Sequence, residues 1–195
     1  MTAADQTGPR RLLLGVTGGI AAYKSAALTS KLAQAGVDVR VAMTQAAQRF
    51  VGPTTFQALS GQPVVTSIWD PDDRPDSPHI GLARWCHAML IAPCTANSLA
   101  KLAQGMGDDP VTLAASALPA ETPLLVAPAM NADMWARPTV QRNLALLQEL
   151  LPAFQTVGPD DGWQACRTQG AGRMAEPEAL LTASLQALGI APPAN

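Results

Sequence analysis

A short apolar run near the start of the chain constrains the fold more than any other feature. Residues 11–16 (RLLLGV) lead directly into Thr17-Gly18-Gly19, and a helical pattern follows from about residue 20 to 35. A strand that is apolar on both faces is typical of the centre of a parallel sheet covered by helices on both sides. The run therefore predicts an α/β protein. The glycine turn that follows the run either directs backbone N–H groups toward a phosphate or lets the helix pack closely on the strand.

The alternation of apolar runs with helical patterns continues along the chain. Further strands are predicted at 37–43, 64–69, 88–92, 123–127 and 154–157, and helices at 46–50, 54–60, 79–85, 95–104, 109–118, 138–150 and 176–189. This order predicts a three-layer α/β/α, Rossmann-like (flavodoxin-like) fold with a doubly wound parallel sheet. We expect a single domain over residues 11–190. A disordered tail is expected at 1–10, a short tail at 191–195, and an acidic, proline-rich loop at 70–78.

The composition excludes several functional classes. Of the 195 residues, 48% are hydrophobic but only 4% are aromatic, so the core is expected to consist mostly of Ala, Leu and Val. The net charge of −2 provides no strong attraction to nucleic acid or anionic lipid. No apolar run approaches membrane-spanning length, and the first ten residues lack a signal-peptide core, so we expect a cytoplasmic protein. The three cysteines lack C-x-x-C spacing, which argues against a disulfide framework and against a zinc site.

Polar side chains follow three of the predicted strands. Thr44 ends the second strand, residues 95–98 (TANS) follow the fourth, and Asn131 follows the fifth. Ligands of open α/β sheets bind beyond the carboxyl ends of the strands, so these residues are candidate ligand contacts. Helix capping accounts for one of the residues 95–98 but not for all of them, and a turn-capping role also suits Asn131. The walls around Asn131 are expected to be apolar, formed by Met130, Met134 and Trp135.

A glycine-rich segment at 158–174 is the second informative loop, and Cys166 lies in its middle. The glycine content predicts a mobile flap rather than a packed element. A cysteine on a flap is expected to be exposed, so its reactivity matters more than its packing. His79, at the start of a predicted helix, is by itself more typical of a cap or a solvated side chain, and His87 is interpreted as structural.

Four segments resemble the homo-oligomeric flavin-containing cysteine decarboxylases. They are 15–24 (GVTGGIAAYK), the segment at His79, 93–98 (PCTANS) and 128–135 (PAMNADMW). A fifth, 165–174 (ACRTQGAGRM), resembles the substrate flap of the phosphopantothenoylcysteine decarboxylase branch. The resemblance covers about residues 11–188, and P-x-M-N-x-x-M-W is its most specific part.

Two positions depart from that family. Arg167 and Thr168 stand where the flap usually has glycine and then an acidic residue, and Cys94 stands where alanine is usual. Many bacterial relatives fuse this domain to a synthetase, whereas this sequence is expected to be a stand-alone domain.

The resemblance implies a cofactor, a reaction and an assembly. The cofactor would be FMN, and the reaction would be the decarboxylation of 4′-phosphopantothenoylcysteine in coenzyme A biosynthesis. In such enzymes the flavin oxidises the substrate thiol, carbon dioxide leaves, and the enethiolate is then reduced and protonated. The protein would be a homotrimer or an assembly of trimers, with the flavin at a subunit contact.

The resemblance also implies roles for individual residues. His79 would be the acid/base, Asn131 would hold the substrate carboxylate, and Cys166 would donate the final proton. Substrate contacts would also come from Met130, Ala165 and Met174. The FMN contacts would be Gly18, Gly19, Ile20, Thr44, Thr95, Ala96, Asn97, Ser98 and Ala129, and no residue is assigned to a metal.

Other functions remain open at this point. A peptidyl-cysteine decarboxylase of lantibiotic-type peptide synthesis would share the fold and the cofactor. A flavin prenyltransferase is disfavoured, because it would lack P-x-M-N-x-x-M-W and a flap cysteine. A non-catalytic flavin-binding regulatory subunit is disfavoured by the presence of His79, Asn131 and Cys166 together.

Overall fold

A six-stranded parallel sheet forms the centre of the molecule in the computed structural model, which describes residues 8–69 and 78–191. Its strand order is β3-β2-β1-β4-β5-β6. The strands of this sheet are β1 (Arg11–Val16), β2 (Asp38–Met43), β3 (Val64–Val65), β4 (Ala88–Cys94), β5 (Leu124–Pro128) and β6 (Phe154–Thr156). A separate antiparallel hairpin consists of β7 (Asp160–Trp163) and β8 (Gln169–Arg173).

Helices connect the parallel strands. They are α1 (Ala22–Gln34), α2 (Pro53–Ser60), α3 (Pro78–Trp85), α4 (Ala96–Ala103), α5 (Pro110–Ser116), α6 (Ala132–Trp135), α7 (Pro138–Leu150) and α8 (Pro177–Ala187), with a 3₁₀ turn at Ala47–Arg49. This architecture confirms the predicted doubly wound three-layer fold. No helix of the described residues is long and apolar enough to cross a membrane.

The sheet is buried on both faces, as the first strand predicted. Along β1, Leu12 and Leu14 point into one core with α1 and α8, whereas Leu13 points into a second core on the opposite face. This division follows from the two-residue repeat of a strand, which sends alternate side chains to opposite faces. The two cores hold the helices on either side of the sheet.

The third strand is shorter than predicted. The sequence indicated residues 64–69, but only Val64–Val65 pair with β2. The backbone N–H of Trp69 donates to the Ser67 hydroxyl at 3.0 Å, so a local turn replaces strand pairing there. Trp69 itself is 85% exposed, so its side chain does not anchor the end of this segment in the core.

The prediction of an unpacked flap at 158–174 is wrong. The segment forms the β7–β8 hairpin, and its glycines allow close packing against the loop after β5. A Cβ at Gly172 would lie 2.4 Å from the Met130 carbonyl oxygen, and one at Gly170 would lie 2.9 Å from the Ala132 Cβ. The Met130 N–H also donates to the Gly172 carbonyl at 2.9 Å, which fastens the hairpin to this loop.

Several predicted segments lie outside the described residues. They are 1–7 of the first tail, 70–77 of the acidic loop and 192–195 of the second tail. The division into one domain over 11–190 stays a prediction.

Gly15 in β1 provides a test of the second core. A Cβ added there would lie 2.6 Å from Val111 Cγ1 and 3.3 Å from Ile91 Cγ1. We expect Gly15→Ala to lower the free energy of unfolding by about 1–3 kcal/mol through overpacking, measured by urea denaturation. Combining it with Val111→Ala should cost less than the sum of the two single changes. Gly8→Ala is the control, because a methyl group there meets nothing within 4 Å; equal effects at both glycines would contradict this account.

Candidate functional site

The carboxyl ends of β1 and β4 meet where the chain reverses its direction across the sheet. From β1 the sheet extends through β2 and β3 on one side and through β4 to β6 on the other. Such a switch point is the usual ligand crevice of an open α/β sheet. The Thr17 hydroxyl joins the two ends, because it donates to the Pro93 carbonyl at 2.7 Å and accepts from the Thr95 N–H at 3.2 Å.

The glycine turn after β1 leaves backbone donors open. Helix α1 begins without a side-chain cap, and within the described part of the chain the N–H groups of Gly18, Gly19 and Ile20 have no acceptor. A Cβ at Gly18 would lie only 2.4 Å from the Ala46 Cβ, so the turn requires glycine for its close approach. Free N–H groups at the start of a 13-residue helix favour an anionic ligand such as a phosphate.

A cavity of about 530 Å³ opens beside this turn. It lies between the β1–α1 turn, the loop after β5, the β7–β8 hairpin and the segment that follows β8. Eight predicted site residues contribute to its lining: Gly19, Ile20, Ala129, Met130, Asn131, Ala165, Cys166 and Met174. Six further residues line it that were not predicted from the sequence as site residues: Tyr23, Lys24, Trp163, Gln164, Arg173 and Glu176.

Asn131 serves both of the roles that the sequence left open. Its Oδ1 accepts the Asp133 N–H at 2.8 Å, which caps the short helix α6. Its Nδ2 donates to the Cys166 sulfur at 3.2 Å, across the cavity wall. The cap fixes the orientation of the amide and so directs its donor group toward the hairpin.

Cys166 differs from the other two cysteines of the chain. It is exposed near the tip of the hairpin, as predicted, whereas Cys86 and Cys94 are buried. Its sulfur lies 2.9 Å from the Thr168 hydroxyl, and hydrogen bonds from this hydroxyl and then from the Asn131 amide hold the pKa of Cys166 below its ordinary value. Burial instead raises the pKa of Cys86 and of Cys94 to about 12. The only cysteine at the cavity is therefore the one whose thiol ionises most readily.

Lys24 fastens the first helix to the far wall of the cavity. Its buried ammonium group donates to the Met174 carbonyl and to Glu176, each at 3.1 Å. Arg173 also pairs with Glu176. The hydrogen bond from Lys24 is the main cause that holds the pKa of the Glu176 carboxyl below its usual range.

The remaining predicted residues lie outside the cavity lining. Gly18, Thr44, Ala96 and Ser98 do not line it, and neither do Thr95, Asn97 and His79. Thr44 accepts the Ala47 N–H at 3.2 Å, and Thr95 caps α4 by accepting the Ser98 N–H at 3.2 Å. Capping thus accounts for Thr95 and Ser98 but not for Asn97, whose exposed side chain forms no hydrogen bond among the described residues.

His79 lies on α3 and is half-buried. Within the described residues its ring forms no hydrogen bond. His87, interpreted as structural, contacts Arg11 through both ring nitrogens at the start of β1. Among the described residues no group of three or more His, Cys, Asp or Glu side chains is placed to hold a metal ion.

The fold and the open N–H groups at the switch point define a doubly wound α/β protein suited to a phosphate-bearing ligand. A family model described as Flavoprotein matches residues 2–189. The chain belongs to this family.

The chain is also similar to individual proteins. The chain is 45% identical over 169 residues to the coenzyme A biosynthesis bifunctional protein CoaBC of Bacillus subtilis, which covers 87% of this chain and 41% of that protein. A solved PPC decarboxylase, a cysteine-to-serine variant complexed with pantothenoylaminoethenethiol, superimposes with a TM-score of 0.80 and 31% identity, covering 91% of this chain and 97% of that one. The FMN-dependent cysteine decarboxylase SpaF superimposes with a TM-score of 0.75 and 34% identity, with the same coverages of 91% and 97%.

The contrast between the cysteines predicts selective alkylation. Iodoacetamide should label the folded protein at Cys166, because only this thiol is exposed and has a lowered pKa. After unfolding, all three cysteines should react. Peptide mass mapping of the labelled protein measures both results. Labelling of Cys86 or Cys94 in the folded protein at a comparable rate would contradict this description of the site.

Proposed function

We propose that the chain catalyses the FMN-dependent decarboxylation of 4′-phosphopantothenoylcysteine to 4′-phosphopantetheine, in coenzyme A biosynthesis. The observation that carries the proposal is the contact of Asn131 with Cys166, an amide and a thiol on the wall of one cavity. Similarity to PPC decarboxylase over 97% of that chain supports it. Since the alignment spans only 41% of CoaBC, the proposal concerns the decarboxylation alone. The cytoplasmic location expected from the sequence belongs to the same proposal.

The residues at the switch point fit FMN. The three open N–H groups of the glycine turn suit its phosphate, and the exposed side chain of Ile20 offers an apolar surface to a flavin ring. The unpartnered amide of Asn97 can both donate and accept a hydrogen bond. We therefore assign the FMN contacts to Gly18, Gly19, Ile20, Thr44, Thr95, Ala96, Asn97, Ser98 and Ala129.

Bound FMN supplies the redox chemistry that makes loss of carbon dioxide from a cysteine carboxylate accessible. The residues of the chain bind the substrate and protonate the product. The amide of Asn131 is oriented by its capping bond and can donate to the substrate carboxylate, with Met130, Ala165 and Met174 as neighbouring walls. Cys166 holds a proton at its sulfur, and the hydrogen bond from Thr168, followed by that from Asn131, makes release of this proton easier.

A second candidate reaction is decarboxylation of a peptide that ends in cysteine. The similarity to SpaF, at 34% identity, favours keeping this candidate. The 45% identity to CoaBC favours the small-molecule substrate. A non-catalytic role as a flavin-binding regulatory subunit would leave the Asn131–Cys166 contact without a use.

Cys166→Ser separates the steps of the proposed reaction. The serine hydroxyl has a pKa too high for efficient proton donation near neutral pH, so carbon dioxide should be released while the oxidised enethiol product accumulates. The wild-type protein should instead form the reduced thiol. Mass spectrometry of the product after one anaerobic turnover of FMN-loaded protein, with flavin absorbance in parallel, measures the difference. Parallel reactions with phosphopantothenoylcysteine and with a peptide ending in cysteine decide between the two substrates.

The control for this experiment is Cys86→Ala, a buried cysteine outside the cavity, which should yield the reduced product. Reduced product at the wild-type rate from Cys166→Ser would remove this cysteine from the mechanism. Failure of the wild-type protein to bind FMN or to release carbon dioxide from either substrate would refute the proposed function.

We infer that a second copy of the chain contributes His79 to the proposed site. It lies outside the cavity lining of its own chain, and the expected homotrimer would place the flavin at a contact between subunits. His79→Asn should therefore retain FMN, because the glycine turn stays intact, but should lose decarboxylation with its acid/base. Flavin absorbance of the purified variant and release of carbon dioxide measure the two effects, and wild-type turnover would remove His79 from the mechanism.

Mixed particles test the shared site. Co-expression of His79→Asn with Cys166→Ser should restore turnover, since some sites then combine an intact His79 of one copy with an intact Cys166 of another. Co-expression of Asn131→Asp with Cys166→Ser is the matched control and should not restore it, because these residues contact each other within one chain at 3.2 Å. Recovery in neither mixture, or a monomeric mass of the active protein by light scattering, would contradict the shared site.

A further inference from the structure

Three side chains surround the sulfur of Cys166, and one of them, Gln164, has no role so far. Thr168 lies 2.9 Å from the sulfur, Asn131 lies 3.2 Å away, and the Gln164 oxygen lies 3.5 Å away. The Thr168 hydroxyl is also 3.4 Å from the same Gln164 oxygen. The thiol, the hydroxyl and the amide oxygen therefore form a closed set of contacts.

Gln164 is the fixed member of this set. It is only 7% exposed, and its Nε2 donates to the carbonyls of Gly170 and Ala171, each at 3.2 Å. Carbonyl oxygens only accept, so the amide nitrogen must face them and the amide oxygen must face the opposite way. That oxygen accepts the Ala132 N–H at 3.1 Å, which joins the hairpin to the helix that follows Asn131.

The backbone holds Thr168 opposite Cys166. The Gln164 N–H donates to the Thr168 carbonyl at 2.8 Å, and the Arg167 N–H donates to the Gln164 carbonyl at 2.9 Å. These bonds close a tight turn with Arg167 in the left-handed region at φ 65°. The turn brings the side chains two residues apart onto the same side, so their distance does not depend on a flexible side chain.

We propose that Thr168 is a positioning residue whose hydroxyl reverses its hydrogen bond as Cys166 gives up its proton. In the thiol form, the Cys166 S–H donates to the Thr168 oxygen, and the Thr168 O–H donates to the fixed oxygen of Gln164. When the S–H bond breaks and the proton forms a C–H bond on the substrate, the negative charge comes to the sulfur. The Thr168 O–H then rotates to donate to the sulfur beside the Asn131 amide. No proton leaves Thr168, and no electron is exchanged with it.

The charged groups near the thiol do not replace this hydroxyl. Arg167 and Arg173 lie on the hairpin, and Asp133 lies beside Asn131, but within the described residues none of them contacts the sulfur. The hydroxyl of Thr168 is also the leading cause of the lowered pKa of Cys166. Its removal should therefore change the ionisation of the thiol without breaking an ion pair.

The test is the pH dependence of Cys166 alkylation in the full-length protein without substrate. Thr168→Val keeps the branched shape but lacks the hydroxyl, so its profile should move to higher pH, with a fall of about three- to tenfold in the iodoacetamide rate at pH 7. Thr168→Ser should restore the wild-type profile, because it retains the hydroxyl. Thr182→Val, on the exposed surface of α8, is the matched control and should not move it.

The alkylation profiles test the effect of Thr168 on the ionisation of Cys166, whether or not the protein is a decarboxylase. The role of Thr168 in catalysis rests on the proposed function. An unchanged profile for Thr168→Val would overturn the proposal, and so would a Thr168→Ser profile shifted as far as that of the valine variant. Thr168→Ala repeats the test with a smaller side chain, in case valine distorts the turn. In a single turnover, Thr168→Val should raise the ratio of oxidised to reduced product. If the wild-type protein turns over no substrate, the proposed function fails, whereas the alkylation profile still decides the ionisation role.

Discussion

A single buried hydroxyl, that of Thr17, holds together the two strand ends on which the candidate site depends. It is completely buried, and both of its hydrogen bonds go to the end of the neighbouring strand, at Pro93 and Thr95. A buried hydroxyl without partners would destabilise the fold, so these bonds favour the arrangement that joins the two strand ends beyond the last ladder pair of β1 and β4, Gly15 and Ile91. Ser25 of α1 adds a third bond, donating to the Ala92 carbonyl at 2.6 Å. The glycine turn and the start of α4 are thereby presented side by side at the switch point.

The other half of the cavity depends on how the hairpin is attached, because two strands alone are marginally stable. The attachment is polar and made by few groups. Gln164, directly after β7, binds the β8 carbonyls of Gly170 and Ala171 and the Ala132 N–H, while Lys24 binds the Met174 carbonyl just beyond β8. Each of these side chains is nearly buried, so its hydrogen bonds meet little competition from water. The thiol of Cys166 is exposed, but the hairpin that carries it is hydrogen-bonded to the loop after β5 and to the helix that follows.

The candidate site has two parts, the edge of the sheet at the switch point and the β7–β8 hairpin. The edge offers backbone N–H groups, which bind an anion without any side chain that could titrate. The hairpin carries the Cys166 thiol, whose pKa is lowered mainly by hydrogen bonds from two neutral groups, the Thr168 hydroxyl and then the Asn131 amide. His79 stands apart from both, on a helix that does not reach the cavity lining of its own chain.

The sequence by itself determined the layered fold, because strand periodicity, helix periodicity and the apolar first strand are patterns of residues that lie close together in the chain. They can be read without knowing the tertiary contacts. It also indicated an exposed Cys166 and a ligand edge at Gly18, Thr95 and Asn131. Only the tertiary structure decided that residues 66–69 leave the sheet, that the glycines of the hairpin serve close packing, and that Asn97 is left unpartnered. It alone brought Asn131 against Cys166, 35 residues along the chain, and enclosed both with Gln164. Such contacts depend on the register of a hairpin against a distant loop, which no local pattern encodes.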